Sequence, residues 1–413
     1  MISRLSFKNF KTFSNKTTLS FVATPIKRFL CNSVEVPNKR LLKTIGIYGP
    51  NNTGKTCSVL AIANLVNVML GRPHEDLSNS FNDDSVVEYE VEYYIEDRFY
   101  RYFVQYDCKS NQYIKEALLL LTTQASNPSV VSEKHLLERD GNEISISGIK
   151  QSKDLTVLLS NNNPLIMTIR FSDGSELDIA KKDYLSFANS IILLRMDRGI
   201  DASKTVELFR TNPKAASFIK EFVKNCDLHI EDFTWNEDFT SDVDISNLLS
   251  GKELKNELKF TSKHHGHTVP SFLFDSVGTI KLVTISGYIF DAIQNGKILL
   301  IDEIDSSLHH IITRSLVSMF NNSLNNKAQL VFTTHDVLLL DLKHLMRKDQ
   351  IYLTDIDGAT NESYIFHLSD KSSKEEDGLR GDEDIVEHYL KGRFGAIPSP
   401  DLFNALLEAT NNE

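Results

Sequence analysis

An eight-residue, glycine-containing segment at residues 49–56, GPNNTGKT, constrains this sequence most strongly. It fits the pattern GxxxxGK[ST]. The residues before it, 43–48, predict a strand, and residues 56–70 have the apolar spacing of a helix that ends before Gly71. A strand, a glycine-containing turn and a helix in this order form a loop whose backbone amides converge at a helix start. The segment is therefore predicted to bind phosphate groups.

Two side chains of this loop have expected roles of their own. Lys55 is expected to reach the β- and γ-phosphates of a nucleotide, and the hydroxyl of Thr56 is expected to bind Mg²⁺. The backbone amides of the loop are expected to bind phosphate oxygens. The predicted cofactors are thus ATP and Mg²⁺. The expected nucleotide-binding residues of the loop are Gly49, Asn51, Asn52, Thr53, Gly54, Lys55 and Thr56.

A second chemical signal is the apolar segment 297–303, KILLIDE, which ends in two carboxylates. Asp302 is predicted to hold the Mg²⁺ that Thr56 also contacts. Glu303 is predicted to polarise the attacking water, because phosphoryl transfer depends mainly on positioning and charge stabilisation. Taken alone, such a segment is equally consistent with a buried strand that ends in an acidic turn. Its occurrence together with the phosphate loop favours a hydrolytic site.

A third signal is the segment 329–336, QLVFTTHD, a predicted strand that ends at His335. Predicted helices at 279–294 and 311–324 alternate with this strand and the preceding one, which indicates a mostly parallel sheet covered on both faces. In such a sheet His335 would lie beside the two carboxylates and could contact the γ-phosphate or the water. A lone histidine at a strand end more often has a structural role.

The middle of the chain gives weaker signals. Residues 86–106 predict an antiparallel hairpin, and residues from about 115 to 160 read as helical and polar. Further helices are predicted at 184–194 and 204–225. The segment 227–269 is predicted to be rich in strands.

Together, the phosphate loop, the strand ending in Asp-Glu, the segment DSSLH at 305–309 and the TTHD strand resemble ATP-binding-cassette (ABC) ATPases of the SMC, Rad50 and RecF type. The opening pattern IxxLxFKNFKTF resembles the start of those chains. In that superfamily a signature segment precedes the Asp-Glu strand by one helix, and DSVGT at 275–279 occupies this place. The resemblance implies that Ser276 and Gly278 cap the γ-phosphate bound to a second subunit. A competing interpretation is that Ser276 is a helix N-cap.

More narrowly, the phosphate loop, DSVGT and the segment YLKGRFGAIP at 389–398 resemble the AAA15 group of bacterial ABC-type ATPases. That group is found with abortive-infection and other phage-defence genes and is related to the ATPase half of OLD-family proteins. The resemblance implies an α/β fold, an ABC-type ATPase head with a mixed β-sheet core. Residues 1–84 and 271–413 would form this core, and residues 85–270 an antiparallel hairpin lobe with a helical insertion.

The resemblance also implies a function. The chain would hydrolyse ATP, dimerise on ATP or form a higher homo-oligomer with composite sites, and switch a separately encoded effector, a nuclease or toxin, in anti-phage defence. One alternative is a RecF-like clamp that binds DNA during repair, and another is a stand-alone nuclease that uses Asp355 and Asp357. The lysines that could offer a DNA-binding face are Lys204, Lys214, Lys220 and Lys224.

Composition limits these alternatives. The 45 basic and 56 acidic residues give a net charge of −11, so any DNA contact would need a local basic patch. No apolar run approaches the length that spans a bilayer, and the four cysteines lie far apart, so we expect a cytoplasmic protein without membrane contact. His264, His265 and His267 favour a polar hairpin over a metal site. Gln105 is the one candidate for the glutamine that ABC ATPases carry near the nucleotide.

Overall fold

The computed structural model describes residues 1–72, 77–79, 81–124, 127–148, 162–226, 229–236, 259–370 and 385–397. The strands are β1 (Ile2–Lys8), β2 (Thr17–Ser20), β3 (Ser33–Val36), β4 (Lys39–Leu42), β5 (Thr44–Tyr48), β6 (Val86–Ile95), β7 (Arg98–Asp107), β8 (Gln112–Gln124), β9 (Asn127–Asp140), β10 (Glu143–Ile146), β11 (Ile191–Arg195), β12 (Asp232–Trp235), β13 (Phe260–His264), β14 (His267–Pro270), β15 (Ile298–Asp302), β16 (Gln329–Thr333), β17 (Ile351–Ile356) and β18 (Ser363–His367). The helices are α1 (Lys55–Leu70), α2 (Leu165–Thr168), α3 (Glu176–Ala188), α4 (Ser203–Thr211), α5 (Pro213–Lys224), α6 (Ser271–Phe274), α7 (Val277–Asn295), α8 (His310–Phe320) and α9 (Ile385–Leu390).

A six-stranded sheet in the order β11-β15-β16-β5-β17-β18 forms the centre of the fold. The first five strands are parallel, and β18 pairs antiparallel with β17. Side chains of β15 alternate between two cores: Leu300 packs in the core that contains α1, and Ile301 in the core that contains α7 and α8. Burial on both faces explains the continuous apolar strands, and it confirms the predicted parallel sheet.

A seven-stranded antiparallel sheet, in the order β10-β9-β8-β7-β6-β1-β2, packs beside the central sheet. The hairpin predicted at 86–106 is confirmed as β6 and β7. The helical prediction for the segment after it is wrong over β8, β9 and β10. Leu118 is buried in the core shared with α1, whereas Leu119 and Leu121 are buried in a cluster on the other face. Because both faces bury apolar side chains, the strand shows no period-two alternation.

Two of the predicted helices have different limits in the structure. The tract 204–225 is two helices, because Pro213 begins α5 and the side chain of Asn212 caps it by accepting from Lys214 N and Ala215 N. The tract 184–194 is the end of α3 followed by β11. Ile191 and Ile192 pair with β15 in the central sheet, a distant partner that local spacing cannot reveal.

The segment predicted to be rich in strands, 227–269, is confirmed where it is described. It contains β12 and β13 and the start of β14 in a three-stranded antiparallel sheet. The core that contains α7 and α8 also includes the aromatic rings of Phe233 and Phe260. The predicted α/β architecture, with a mixed sheet, an antiparallel sheet and inserted helices, is therefore observed.

Candidate nucleotide-binding site

The three segments with chemical signals follow neighbouring parallel strands. Residues 49–54 follow β5, residues 303–309 follow β15, and residues 334–336 follow β16. Because the carboxyl ends of parallel strands meet at one edge of a sheet, the three segments lie side by side there. This edge is the usual ligand-binding position of an open α/β sheet.

The shape of the 49–56 loop depends on Gly54, which immediately precedes α1. Its backbone has a φ of 102°, which side-chain-bearing residues rarely adopt. An added Cβ would lie 2.8 Å from the ring of Phe13 and 2.9 Å from the Ser363 hydroxyl. The side chain of Thr53 connects the loop to β17, since its hydroxyl forms a buried hydrogen bond of 2.7 Å with the hydroxyl of Thr354. The loop thus packs closely against Phe13 and Ser363 and is hydrogen-bonded to Thr354.

The amine of Lys55 lies inside this loop. Its Nζ donates hydrogen bonds to the carbonyl oxygens of Gly49 at 2.8 Å and Pro50 at 2.6 Å, and the residue is 6% exposed. Burial lowers the pKa of Lys55 to about 8, and the nearby carboxylates of Glu303 and Asp302 oppose this shift. Lys55 is therefore a buried cation at the sheet edge, surrounded by loop carbonyls and acidic side chains.

Asp302 joins the first turn of α1 to the central sheet. Its Oδ1 accepts hydrogen bonds from the hydroxyls of Thr56 at 3.1 Å and Thr333 at 2.7 Å. Its Oδ2 is buried and accepts no hydrogen bond from the residues that the structure describes. A hydroxyl and an unsatisfied carboxylate oxygen are the kind of ligand that Mg²⁺ takes in nucleotide sites. Thr56 and Asp302 therefore fit the predicted metal.

Glu303 follows Asp302 with a backbone φ of 55°, in the left-handed region that glutamate seldom adopts. Its amide donates to the hydroxyl of Thr333 at 2.8 Å, which holds this conformation in place. The carboxylate is close enough to oppose the lowering of the pKa of both Lys55 and His335. Strained backbone of this kind is concentrated at functional sites.

His335 completes the cluster from the end of β16. Its backbone amide lies 3.3 Å from Oδ2 of Asp305, and its side chain is exposed. Partial desolvation of the imidazole by the residues around it, followed by the charge of Lys55, lowers the pKa of His335, and the carboxylates of Asp305 and Glu303 oppose the shift. The structure thus brings together Lys55, Thr56, Asp302, Glu303 and His335, the five residues that the sequence assigned to one site.

Ser276 and Gly278 lie at the start of α7. The Ser276 hydroxyl accepts from Thr279 N at 3.1 Å, so it is the N-cap of the helix. An added Cβ on Gly278 would lie 2.6 Å from the carbonyl oxygen of Ser307, so the helix packs closely against the loop after Glu303. In the described part of the chain, no hydrogen bond joins Ser276 or Gly278 to the 49–56 loop. Ser276 is exposed, beside the apolar surface of Phe274.

Sequence reasoning did not identify Thr333, Asp305 or Arg195 as site residues. Thr333 binds both Asp302 and Glu303, and Asp305 binds the His335 amide. Arg195 lies at the end of β11, with Nε 3.6 Å from Oδ2 of Asp302. The two threonines before His335 were a sequence signal that could have identified Thr333. Arg195 could not be found without knowing that β11 pairs with β15.

Two other candidates lie away from the central sheet edge. Gln105 is in the seven-stranded sheet, where its Nε2 donates to Glu88 at 3.0 Å. Its side-chain amide is therefore engaged within that sheet. His264 contacts the hydroxyl of Ser262 and, at 2.8 Å, the carboxylate of Asp275. No group of three metal-ligating side chains is found among the described residues.

The two aspartates of the nuclease alternative take part in local structure. Asp357 Oδ1 accepts from the amides of Ala359 and Thr360, which forms the turn between β17 and β18. Asp355 Oδ2 accepts from Ala396 N at 2.8 Å. These contacts agree with the turn interpretation of this segment.

Residues 45–341 match the sequence profile of the family described as AAA domain, putative AbiEii toxin, Type IV TA system. The chain belongs to this family. The matched region of this AAA-domain protein begins in β5 and extends past His335, so it includes the phosphate loop and both following strand ends. None of the curated proteins compared with the chain matches it.

Solved structures similar to this AAA-domain protein include heads of SMC proteins. The SMC head domain from Thermotoga maritima has 13% sequence identity and a TM-score of 0.40, and the match covers 89% of this chain and 98% of that one. An SmcHead bound to the C-winged helix domain of ScpA has 13% identity and a TM-score of 0.46, over 90% and 99% of the two chains. An Smc head domain bound to a ScpA domain derived from Pyrococcus furiosus has 11% identity and a TM-score of 0.41, over 89% and 97%. Within the described residues, no helix has both the length and the apolar character needed to cross a membrane.

Proposed function

We propose that this AAA-domain protein binds ATP with Mg²⁺ and hydrolyses it to ADP and phosphate. The observation that carries the proposal is the meeting of Lys55, Thr56, Asp302, Glu303 and His335 at one sheet edge. The Asp302 carboxylate accepts hydrogen bonds from Thr56 of the phosphate loop and from Thr333, and the backbone amide of Glu303 donates to the same Thr333 hydroxyl. Phosphoryl transfer requires this combination of a phosphate-binding cation, a metal-holding carboxylate and a residue that orients water.

Each side chain has a separate role in the proposed reaction. The Lys55 amine, which donates to two loop carbonyls here, would donate to phosphate oxygens and offset their charge. Thr56 and Asp302 would hold Mg²⁺, which supplies charge neutralisation at the phosphates when bound. Glu303 would accept a hydrogen bond from the attacking water and orient it toward the γ-phosphate. His335, with its lowered pKa, would contact the γ-phosphate or that water as a neutral imidazole.

We further propose that ATP joins two copies of the chain, each completing the other's site with Ser276 and Gly278. Three features of the α7 start support this assignment. Ser276 is exposed, and the neighbouring apolar side chains Phe274 and Val277 are 67% and 64% exposed. A helix N-terminus carries a partial positive charge that favours a phosphate of a second molecule. A composite site of this kind would make assembly depend on ATP.

We propose that ATP-dependent assembly controls a separately encoded effector, a nuclease or toxin, in defence against phage. The family description, which names a putative toxin and a type IV toxin–antitoxin system, supports this class of role. The relationship to the AAA15 and OLD proteins is part of the same proposal. The geometry of Asp355 and Asp357 gives no support to a nuclease within the chain.

The alternative of a DNA clamp has less support. Of the four lysines that could form its basic face, Lys204 lies 3.6 Å from Asp291 and Lys224 lies 4.0 Å from Glu221. Lys220 lies over the ring of Phe209. Contacts within the chain therefore occupy most of this face, and the acidic chain offers little net attraction to DNA.

ATP turnover by Lys55→Ala tests the catalytic proposal. The variant removes the cation beside the phosphates, so turnover should fall by at least about a hundredfold. Lys109→Ala, which changes an exposed lysine in the turn between β7 and β8, is the matched control and should keep the wild-type rate. Wild-type turnover by Lys55→Ala would refute the assignment of this loop as the ATP site.

A further inference from the structure

Arg195 faces the predicted metal ligand from the neighbouring strand. β11 and β15 pair in parallel with Arg195 directly opposite Asp302, so both side chains emerge at the same end of the sheet. A hydrogen bond from Met196 N to the Asp302 carbonyl, at 3.0 Å, fixes this register. In the described part of the chain, Arg195 is the one basic side chain within 4.0 Å of the Asp302 carboxylate.

The contact between the two groups is incomplete. Arg195 Nε and Asp302 Oδ2 lie 3.6 Å apart, too far for a hydrogen bond, and neither atom has a hydrogen-bond partner in the described chain. The other end of the guanidinium is held by Asp197, whose Oδ2 accepts from Nη2 at 3.0 Å. Asp197 thus holds the positive charge of Arg195 beside Oδ2 of Asp302, and Oδ2 still accepts no hydrogen bond in the described chain.

This arrangement affects any cation that binds at Oδ2. The Asp302 side chain is 2% exposed, and a buried carboxylate needs a compensating positive charge. Arg195 supplies that charge when no metal is bound. A divalent ion that approaches Oδ2 alone meets the guanidinium and is repelled. When nucleotide phosphates are present, their negative charges offset this repulsion.

We propose that Arg195 makes metal binding at Asp302 dependent on nucleotide. Its charge compensates that of the Asp302 carboxylate and disfavours a divalent cation that arrives without phosphates. The inference rests on the proposed Mg²⁺–ATP site and adds to it an order of binding. Arg195 is a positioning residue in this account, because it acts through the Asp302 carboxylate.

Mn²⁺ binding in the absence of nucleotide tests the proposal with the full-length chain. Mn²⁺ is the probe, and the electron paramagnetic resonance signal of the free ion measures the unbound fraction. Arg195→Met removes the charge but keeps an extended apolar side chain, so Mn²⁺ affinity should rise by at least about tenfold over the wild type. With a non-hydrolysable ATP analogue present, the two proteins should differ by less than about threefold.

Three further variants make the result specific. Arg195→Lys keeps the charge and should bind Mn²⁺ as weakly as the wild type. Arg198→Met changes a neighbouring arginine whose side chain is 69% exposed, and should have no effect. The double variant Asp302→Asn, Arg195→Met should lose the Mn²⁺ affinity that Arg195→Met gains. This result would show that the ion binds at Asp302 and not at Asp197. Circular dichroism verifies folding, and Arg195→Gln replaces the methionine variant if that variant does not fold.

Unchanged Mn²⁺ affinity in the folded Arg195→Met or Arg195→Gln protein would overturn the inference. A gain that survives Asp302→Asn would also overturn it, because the ion would then bind elsewhere. Neither outcome depends on ATP turnover. A failure of the proposed ATPase would instead appear as wild-type turnover in Lys55→Ala, so the two failures are distinguishable.

Discussion

The hydroxyl of Thr56 lies 3.1 Å from Oδ1 of Asp302, although 246 positions separate the two residues in the sequence. This hydrogen bond connects the first turn of α1 with the end of β15. It shows that the phosphate loop and the Asp-Glu strand, two separate sequence signals, belong to one site. The same carboxylate also binds Thr333 and faces Arg195, so three other segments of the chain converge on Asp302.

Gly278→Ala should uncouple α7 from the loop that follows Glu303. The new Cβ would lie 2.6 Å from the carbonyl oxygen of Ser307, so helix or loop must shift. We expect a loss of about 1–3 kcal/mol in the free energy of unfolding, as for other overpacked sites. Turnover should fall about tenfold or more while ATP affinity stays within about threefold, because the phosphate loop is untouched.

Chemical denaturation and steady-state ATP turnover together measure these effects. Gly358→Ala is the control, since an added Cβ there has no atom within 4 Å. It should leave both quantities unchanged. Wild-type stability and turnover in Gly278→Ala would show that the close packing against Ser307 has no functional consequence.

Ser276→Arg should block ATP-dependent association of two copies. The large cation would fill the space over the γ-phosphate of the neighbouring site, while the chain's own phosphate loop stays intact. Sedimentation velocity in a Glu303→Gln background, with and without ATP, measures the effect. Ser276→Thr is the control, because threonine keeps a hydroxyl that can cap α7, whereas loss of the cap alone costs about 1 kcal/mol. Full ATP-dependent association of Ser276→Arg would refute the composite site.

Much of the site could be predicted because its residues occur at the ends of apolar strands. A strand followed by GPNNTGKT, or by Asp302 and Glu303, fixes the position of each group along the chain. The parallel order of the strands then brings the groups together. Arg195 was missed because its role depends on β11 pairing with β15, and that pairing is invisible in a sequence segment read locally. The helical prediction over β8 was wrong for a related reason, since leucines buried on both faces of a sheet remove the alternation that marks a strand.

ATP affinity should fall as the pH rises above about 8. Lys55 has a pKa of about 8, and the phosphates bind its protonated form. Each further pH unit should therefore weaken binding by up to about tenfold. Titration with a non-hydrolysable ATP analogue from pH about 7 to about 9.5 measures this. Lys55→Arg stays charged over that range, so its affinity, even if lower, should not change with pH. A wild-type affinity that is equally flat would contradict the assigned role of the Lys55 amine.

ATP binding and turnover by Glu303→Gln, measured on the same preparation, test whether Glu303 orients the water that attacks ATP. Glutamine keeps the size of the side chain but removes the negative charge that polarises water. We expect ATP affinity within about threefold of the wild type and turnover reduced by at least about a hundredfold. Wild-type turnover by a Glu303→Gln protein that binds ATP normally would contradict this role of Glu303.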